Sequence, residues 1–431
     1  MDRTEFARRR RQFMRIIGKD AIAILPAAPV RHRNGDIEYA YRQDSHFHYL
    51  TGFPEPDAVA VLCPGRPQGE YLLFVRERDA LRESWDGARA GTEGAVELYA
   101  ADDAFPIADI DEILPGLLEQ RSKIFYSMGT HLDFDPRLTG WVSGLRAQTR
   151  QVGGGMQEFV ALNHVLDDMR LYKSRPEQVR LRRAAQIAVG AHRRAMRFAQ
   201  PGRMEYEVMA EVLHEFRSHN ADTSYHPIVG GGANACVMHY RNNDQPLCDG
   251  DLLLLDAGCE HDYYASDITR TFPVNGRFSP AQRAVYEVVL EAQLAAIDKV
   301  RPGNHWNQPH EAAVRVITQG LVKLGLLEGS IAKLIREQQY QQFFNHRTGH
   351  WLGLDVHDVG DYKVGGEWRV LEPGMALTVE PGIYIRPSAR VPKEFWNIGV
   401  RIEDDVLVTR QAPEVLTAAL EKTPDAIESL R

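Results

Sequence analysis

The sequence predicts a two-domain α/β (α+β) protein, and three observations carry that prediction. The chain has 431 residues, more than one hydrophobic core usually encloses, so two domains are expected. Short apolar β-like runs alternate with helical patterns from about residue 21 to 168. The remainder opens on two helical patterns and then turns to strands flanked by helices, several of them ending in a carboxylate.

The N-terminal run Arg10-Arg11-Gln12-Phe13-Met14-Arg15 resembles a twin-arginine export signal. Lys19 and Asp20 interrupt the apolar stretch such a signal needs, and the following run, 21–25, is short and stopped by Pro26 and Pro29. The segment is therefore read as an amphipathic surface helix followed by a core strand, in a cytoplasmic protein. Further strands are expected at 58–63, 71–75 and 123–127. Residues 151–157, with three consecutive glycines, cannot continue an element. A boundary is expected near Met169 to Ser174, dividing the chain into 1–170 and 171–431, with Ser174 as helix N-cap and Pro176 just inside the helix.

In the second domain helices are expected at 177–198 and 205–218, separated by Gln200-Pro201-Gly202. Strands follow at 252–256, 268–274, 375–385 and 400–408, and helices at 280–300, 310–324 and 331–339. There is no fixed-period repeat and no low-complexity tract, which argues against a solenoid or a disordered linker.

Composition narrows the function. Lys and Arg number 51 against 59 Asp and Glu, a net charge of −8, which leaves no electrostatic footprint for nucleic acid or an anionic membrane surface. A small molecule or a peptide is the expected partner. No stretch approaches the roughly 20 apolar residues of a membrane span. Cys63, Cys236, Cys248 and Cys259 form no C-x-x-C pair and are too few for a disulfide scaffold in this length, so a reducing compartment is expected.

The chemistry lies at the strand ends. In Leu252-Leu253-Leu254-Leu255-Asp256-Ala257-Gly258 a buried strand ends in a charge that needs a cation or hydrogen-bond donors; alone, Asp256 reads better as a cap of the Ala257-Gly258 turn. Strand alternation puts Asp267, Thr269 and Thr271 on one face and Ile268 and Phe272 on the other. It points Thr378 and Glu380 away from Leu377 and Val379, and Arg401 and Glu403 away from Ile402. Each carboxylate singly fits an edge strand at the surface. Four facing one interior could not all stay ionised without cations.

Imidazoles are supplied by Asn345-His346-Arg347-Thr348-Gly349-His350-Trp351-Leu352-Gly353-Leu354-Asp355-Val356-His357, a glycine-punctuated loop able to aim several rings into one cavity. His239 follows Gly230 to Gly232; that glycine run lacks the Gly-Lys-Ser/Thr of a phosphate loop and is read as substrate-cleft backbone. Four carboxylates and one imidazole form a hard, oxygen-rich set suited to Mn(II), with Co(II) or Zn(II) as alternatives. Two ions are expected, roughly 3.5 to 4 Å apart, holding a shared water as hydroxide.

These motifs, from Asp256 to Glu260, Ser266 to Val274, His350 to His357, Thr378 to Gly382 and Arg401 to Asp405, together with Tyr41-Arg42-Gln43, Tyr49 to Pro56 and Trp85, closely resemble bacterial aminopeptidase P, the Xaa-Pro aminopeptidases of the pita-bread metallopeptidase family. The resemblance spans nearly the whole chain. It implies an N-terminal creatinase-like α/β domain followed by a pita-bread catalytic domain. It implies removal of the residue preceding a proline from a peptide N-terminus, with a metal-bridging hydroxide as nucleophile. By the same resemblance Asp256 chelates one metal, Asp267 and Glu403 bridge both, and His350 and Glu380 hold the second.

It further implies that His239 and His357 orient the scissile carbonyl and transfer protons, and that Glu380 also accepts the proton of the nucleophilic water. His346, Arg401 and Tyr384 would contact substrate, His346 in the proline pocket and Arg401 closing the cleft. Trp85 and Asp36 would complete a neighbour's active site in a homodimer or homotetramer. Arg347-Thr348-Gly349 departs from the smaller, more apolar residues expected before the ligand histidine, and so bears on pocket shape. The rival enzyme is a prolidase, which uses the same ligands on dipeptides only. A non-catalytic pita-bread binding protein would lack part of the ligand set, which is complete here. A methionine aminopeptidase fits poorly with the long N-terminal domain, and a creatinase-like amidinohydrolase needs no metal.

Overall fold

The computed structural model describes residues 2–119, 121–148 and 158–430, so the glycine-rich stretch 151–157 lies outside the described residues. Two compact units divide the chain, Met1–Met169 and Arg170–Arg431.

In the first unit a six-stranded sheet runs in the order Asp103–Pro106, Tyr71–Val75, Val59–Leu62, Ala21–Pro26, Lys123–Phe125, Glu158–Val160. The three central strands are antiparallel and the outer pairs parallel. The central strands are unbroken apolar runs, and every residue of them is buried, as a sheet covered on both faces requires. Helix Arg3–Ile17 is not a simple surface helix. Arg9 and Arg10 are buried and donate to the Tyr49 and Leu50 carbonyls at 3.1 and 2.9 Å, carbonyls at the end of helix Ser45–Thr51 that lack helical partners.

The second unit opens on helix Arg175–Phe198, whose Glu177 carboxylate accepts from the Ser174 amide at 2.9 Å while Pro176 occupies the first turn. Helix Glu205–Ser218 follows. Strand Leu252–Asp256 lies between Ile228–Gly231 and Thr269–Pro273, antiparallel to both.

Two expected strands are each broken in two. The stretch 375–385 forms Ala376–Val379 and Gly382–Ile385, and 400–408 forms Ile398–Arg401 and Asp404–Leu407. Ala376–Val379 pairs with Asp404–Leu407 in one sheet and Gly382–Ile385 with Ile398–Arg401 in another. Both chains therefore cross between sheets at the same level, leaving Glu380-Pro381 opposite Ile402-Glu403. Pro381 has no N–H to continue a ladder. The freed amides find partners elsewhere: Glu380 donates to the Thr348 carbonyl at 2.9 Å and Glu403 to that of Thr269 at 3.0 Å.

Other boundaries move by a few residues. The expected helix 331–339 stops at Arg336 because Gln338 adopts a left-handed φ of 54°. The core receives the apolar alternates of the site-bearing strands, Ile268, Phe272, Leu377, Val379, Ile402 and Val406.

The turn after Asp256 leaves no room for a side chain. A Cβ on Gly258 would stand 1.8 Å from the Ser266 carbonyl oxygen. Gly258→Ala should therefore lower stability by about 1 to 3 kcal/mol, read from the urea midpoint. An unchanged midpoint would show that this close approach is not a constraint.

Candidate active site

The strand breaks and strand ends deliver the carboxylates. Asp256 ends the four-leucine strand, Asp267 precedes Thr269–Pro273, and Glu380 and Glu403 occupy the two facing breaks. His350 enters from the glycine-punctuated loop. Its amide donates to the Thr378 hydroxyl at 3.1 Å and its carbonyl accepts from the Thr378 amide at 3.0 Å. A Cβ on Gly349 would meet the Thr378 carbonyl at 2.1 Å, so only glycine lets the loop lie this close to the strand.

All five expected ligands come together. The His350 Nε2 lies 3.3 Å from Asp267 Oδ2 and 3.8 Å from Glu380 Oε1. Asp267, His350 and Glu403 each offer a ligand atom within 4.8 Å of the others. Asp256 joins Asp267 through Tyr225, whose hydroxyl faces both carboxylates. Thr269 donates to Glu403 at 2.6 Å and accepts from Arg401 Nε at 3.0 Å, while Arg401 pairs with Asp256.

The electrostatics of the site call for a cation. Burial, then repulsion from Asp267, Glu380 and Asp256, holds the Glu403 carboxyl well above its ordinary range. Burial also raises Asp256 in spite of Arg401. It pushes Glu380 up to about 7, with His350 and Arg401 opposing and Asp267 and Asp256 adding to the rise. Burial disfavours the charged His350 ring, but the Asp267 bond and the Glu380 charge overcome it and carry the ring up to about 9. Divalent ions would supply the charge that protons supply otherwise, and the donor set fits them. The His350 Nδ1 faces the Trp351 carbonyl at 3.0 Å, which turns Nε2 toward the carboxylates, the orientation a ligand imidazole needs.

The remaining histidines gather on one side. His346 Nε2 lies 3.0 Å from the Tyr384 hydroxyl, which also accepts from Arg401 Nη1 at 3.0 Å. Burial, with Arg401 adding, lowers His346 to about 3, so its ring is neutral. His357 packs against His350 at 4.2 Å between centroids, and burial followed by the His350 and His239 charges lowers it too. His239 is exposed, in a turn after residues 232–236, and is felt electrostatically by both His346 and His357. Trp85, on helix Ala80–Asp86, and Asp36, between strands His32–Asn34 and Ile37–Glu38, are exposed residues of the first unit.

Two side chains that contact the expected ligands, Asp405 and Tyr225, escaped the sequence reading. Asp405 carried a usable signal, since it is an acid two residues from Glu403 in the sequence; both its oxygens accept from the Asp267 amide at 3.2 Å. Tyr225 carried none, being a lone tyrosine between elements. In Arg347-Thr348-Gly349 the long side chain turns away, bonded to Asn307 at 3.0 Å and lying over Trp368. Thr348 is buried, its hydroxyl 2.8 Å from His310 Nδ1.

Buried carboxylates gathered around a histidine mark a candidate metal site, and comparison with known proteins gives the class. Residues 179–410 match metallopeptidase family M24, and residues 6–126 match the aminopeptidase P N-terminal domain. Xaa-Pro aminopeptidases of Haemophilus influenzae and Escherichia coli are each 43% identical over 100% of this chain, covering 97% and 98% of those proteins. The structure of a Pseudomonas aeruginosa aminopeptidase superposes with a TM-score of 0.98 at 58% identity, over 100% of this chain and 98% of that one. An Escherichia coli aminopeptidase P solved in complex with substrate gives 0.96 at 43% identity, over 100% and 98%. The chain belongs to metallopeptidase family M24 and, within it, to the Xaa-Pro aminopeptidases of the aminopeptidase P type. Its fold is accordingly an aminopeptidase P N-terminal domain followed by a pita-bread catalytic domain.

The histidine loop is stapled from behind. The Trp351 carbonyl that orients His350 also accepts from the Asp358 amide at 2.9 Å. The Asp358 carboxylate is buried between Arg170, at 2.5 Å, and Lys173, at 3.0 Å. Burial alone would raise this carboxyl, but Lys173 and Arg170 outweigh it and hold it below its usual range. Its pairing thus stabilises the fold above the unfolded carboxyl pKa of about 3.9 and is lost as pH falls through the depressed folded value. Asp358→Asn should cost about 3 to 5 kcal/mol near neutrality, and the gap to wild type in denaturant titrations should close in strong acid. A gap independent of pH would contradict this.

Proposed function

We propose that the protein removes the N-terminal residue from peptides whose second residue is proline, with two divalent ions held by Asp256, Asp267, His350, Glu380 and Glu403. The supporting observation is the convergence of these five side chains, from four strand ends or breaks and one loop, on one buried region short of positive charge. Asp256, Asp267 and Glu403 would hold one ion, and Asp267, Glu403, His350 and Glu380 the other. When bound, such ions would polarise the scissile carbonyl and lower the pKa of water to near neutrality. The oxygen-rich donor set favours Mn(II), with Co(II) or Zn(II) as alternatives; a zinc-substituted Escherichia coli aminopeptidase P in complex with product is among the similar structures.

The protein's own groups then orient and move protons. His239 and His357 line up the scissile carbonyl, and His357 takes up the proton that Glu380 removes from the attacking water before giving it to the leaving nitrogen. The Glu380 carboxylate takes the proton of the attacking water. The proline nitrogen carries no hydrogen and cannot pair with a strand, so specificity falls to a shaped wall. His346, Tyr384 and Arg401, bonded to one another, form that wall.

In the first unit, Trp85 is 81% exposed, a large apolar face that supports burial in an assembly. We assign it and Asp36 to completing a neighbouring subunit's cleft in a homodimer or homotetramer. The domain boundary near 170 separates this assembly role from catalysis. No helix among the described residues is long and apolar enough to cross a membrane, and a cytoplasmic enzyme is proposed.

Asp267→Asn and Glu403→Gln should each empty the metal site, measured by elemental analysis, and lower kcat/KM by at least about a hundredfold, more than loss of an outer-shell partner costs. Activity that survives with the metals gone would overturn the scheme. Hydrolysis of Xaa-Pro-Xaa separates this reading from a prolidase, which would cleave Xaa-Pro alone.

A further inference from the structure

Glu205 opens helix Glu205–Ser218, and its side chain is fully buried. A buried carboxylate needs a cation or a full set of hydrogen-bond donors. Among the described residues no cation pairs with Glu205; donors surround it instead. Oε1 accepts from the Gly231 amide at 2.8 Å and from the Asn234 side-chain amide at 3.0 Å. Oε2 accepts from the Tyr240 hydroxyl at 2.8 Å and from the Gln245 amide at 3.0 Å. Four donors fill the acceptor capacity of the two oxygens. All four belong to one segment, 231–245, and the Glu205 amide returns a bond to the Gln245 carbonyl at 3.0 Å.

His239 lies inside that segment, next to Tyr240. The His239 ring makes no hydrogen bond among the described residues, so its place is set by the backbone that carries it. Beyond it Asn243, at a left-handed φ of 49°, fastens the chain through the Val229 amide at 3.0 Å and the Pro227 carbonyl at 2.8 Å. We propose that Glu205 is a positioning residue for the hydrolysis: its carboxylate gathers the segment 231–245 so that His239 stands against the scissile carbonyl. This role rests on the one given to His239 in the proposed function. Bonds to an ionised acceptor are stronger than neutral ones, and only a carboxylate accepts at both ends. Glutamine keeps the shape, but its amide nitrogen must face either the Gly231 and Asn234 donors or the Tyr240 and Gln245 donors. A backbone N–H cannot turn to accept, so one end of the segment comes loose.

Glu205→Gln should lower kcat on Xaa-Pro-Xaa by roughly tenfold or more, because a displacement of about 1 Å can cost a hundredfold. KM should stay within about twofold and the metal content, by elemental analysis, at the wild-type level. In a His239→Ala background the same substitution should change kcat by less than about twofold, since no ring remains to be placed. Val212→Ala, in the buried face of the same helix, is the control for stability alone; it should lower the urea midpoint and leave kcat unchanged. Should Glu205→Gln fail to fold, Tyr240→Phe removes the donor beside His239, and the same pairing with His239→Ala is read from it. Losses that multiply in the double variant, or metal that is lost with Glu205, would overturn the positioning role and leave the proposed function standing. Wild-type kcat in His239→Ala would remove the role of His239 and this one together.

Discussion

The structure depends on holding more negative charge in one buried region than its own cations balance. Three consecutive acids show how sharply the balance is drawn. Asp404 points away from the site into Arg270 and Lys422, each at 2.7 Å, with Gln293 and Thr417 completing its shell. Burial opposes its ionisation, yet those cations hold its carboxyl far below the usual range. Glu403 and Asp405, one residue to either side, face the site, and burial with neighbouring carboxylates drives both well above it. All three are buried; what differs is whether a cation is paired directly with the carboxylate. Beside Glu403, where none is, the donor set leaves the place for metal.

That reservation explains the strand breaks. A carboxylate inside an unbroken sheet would have its strand committed to neighbours on both sides, with little freedom to aim. At Glu380-Pro381 and Ile402-Glu403 the chains change sheets together, and the freed amides bond to the Thr348 and Thr269 carbonyls. The backbone of each carboxylate is thus satisfied from outside its own ladder, and Thr348 lies in the same loop that carries His350. Loop and strands fix one another.

Much of this was legible because strand alternation is a strict rule. Period two placed Asp267, Thr269 and Thr271 on one face and Ile268 and Phe272 on the other, and the latter two are in the core while Thr269 and Thr271 bond to Glu403 and Arg401. The breaks are hard to read from hydropathy, since apolar residues recur on both sides of them in 375–385 and 400–408; Pro381-Gly382 marks one, and the consecutive acids Glu403-Asp404-Asp405 interrupt the alternation at the other. The end of helix Ile331–Arg336 was hidden for a different reason, because Gln338 has no glycine-like signal for its left-handed turn. Tyr225 was invisible altogether. Its role comes from lying beside two carboxylates that are distant from it in sequence, at 256 and 267.

Arg401 ties the proposed substrate wall to the proposed metal ligands. Its three nitrogens reach Asp256, Tyr384 and Thr269, and Thr269 in turn holds Glu403. The planar guanidinium fixes these bonds in one plane, so a ligand at each end of the site and the tyrosine of the proposed proline wall share one rigid element. A shift at Tyr384 must then be felt at Asp256. Lysine could offer the charge but not the plane. On the proposed roles, the wall that receives the residue after the scissile bond and the ligands that take metal are coupled through the orientation of this one side chain.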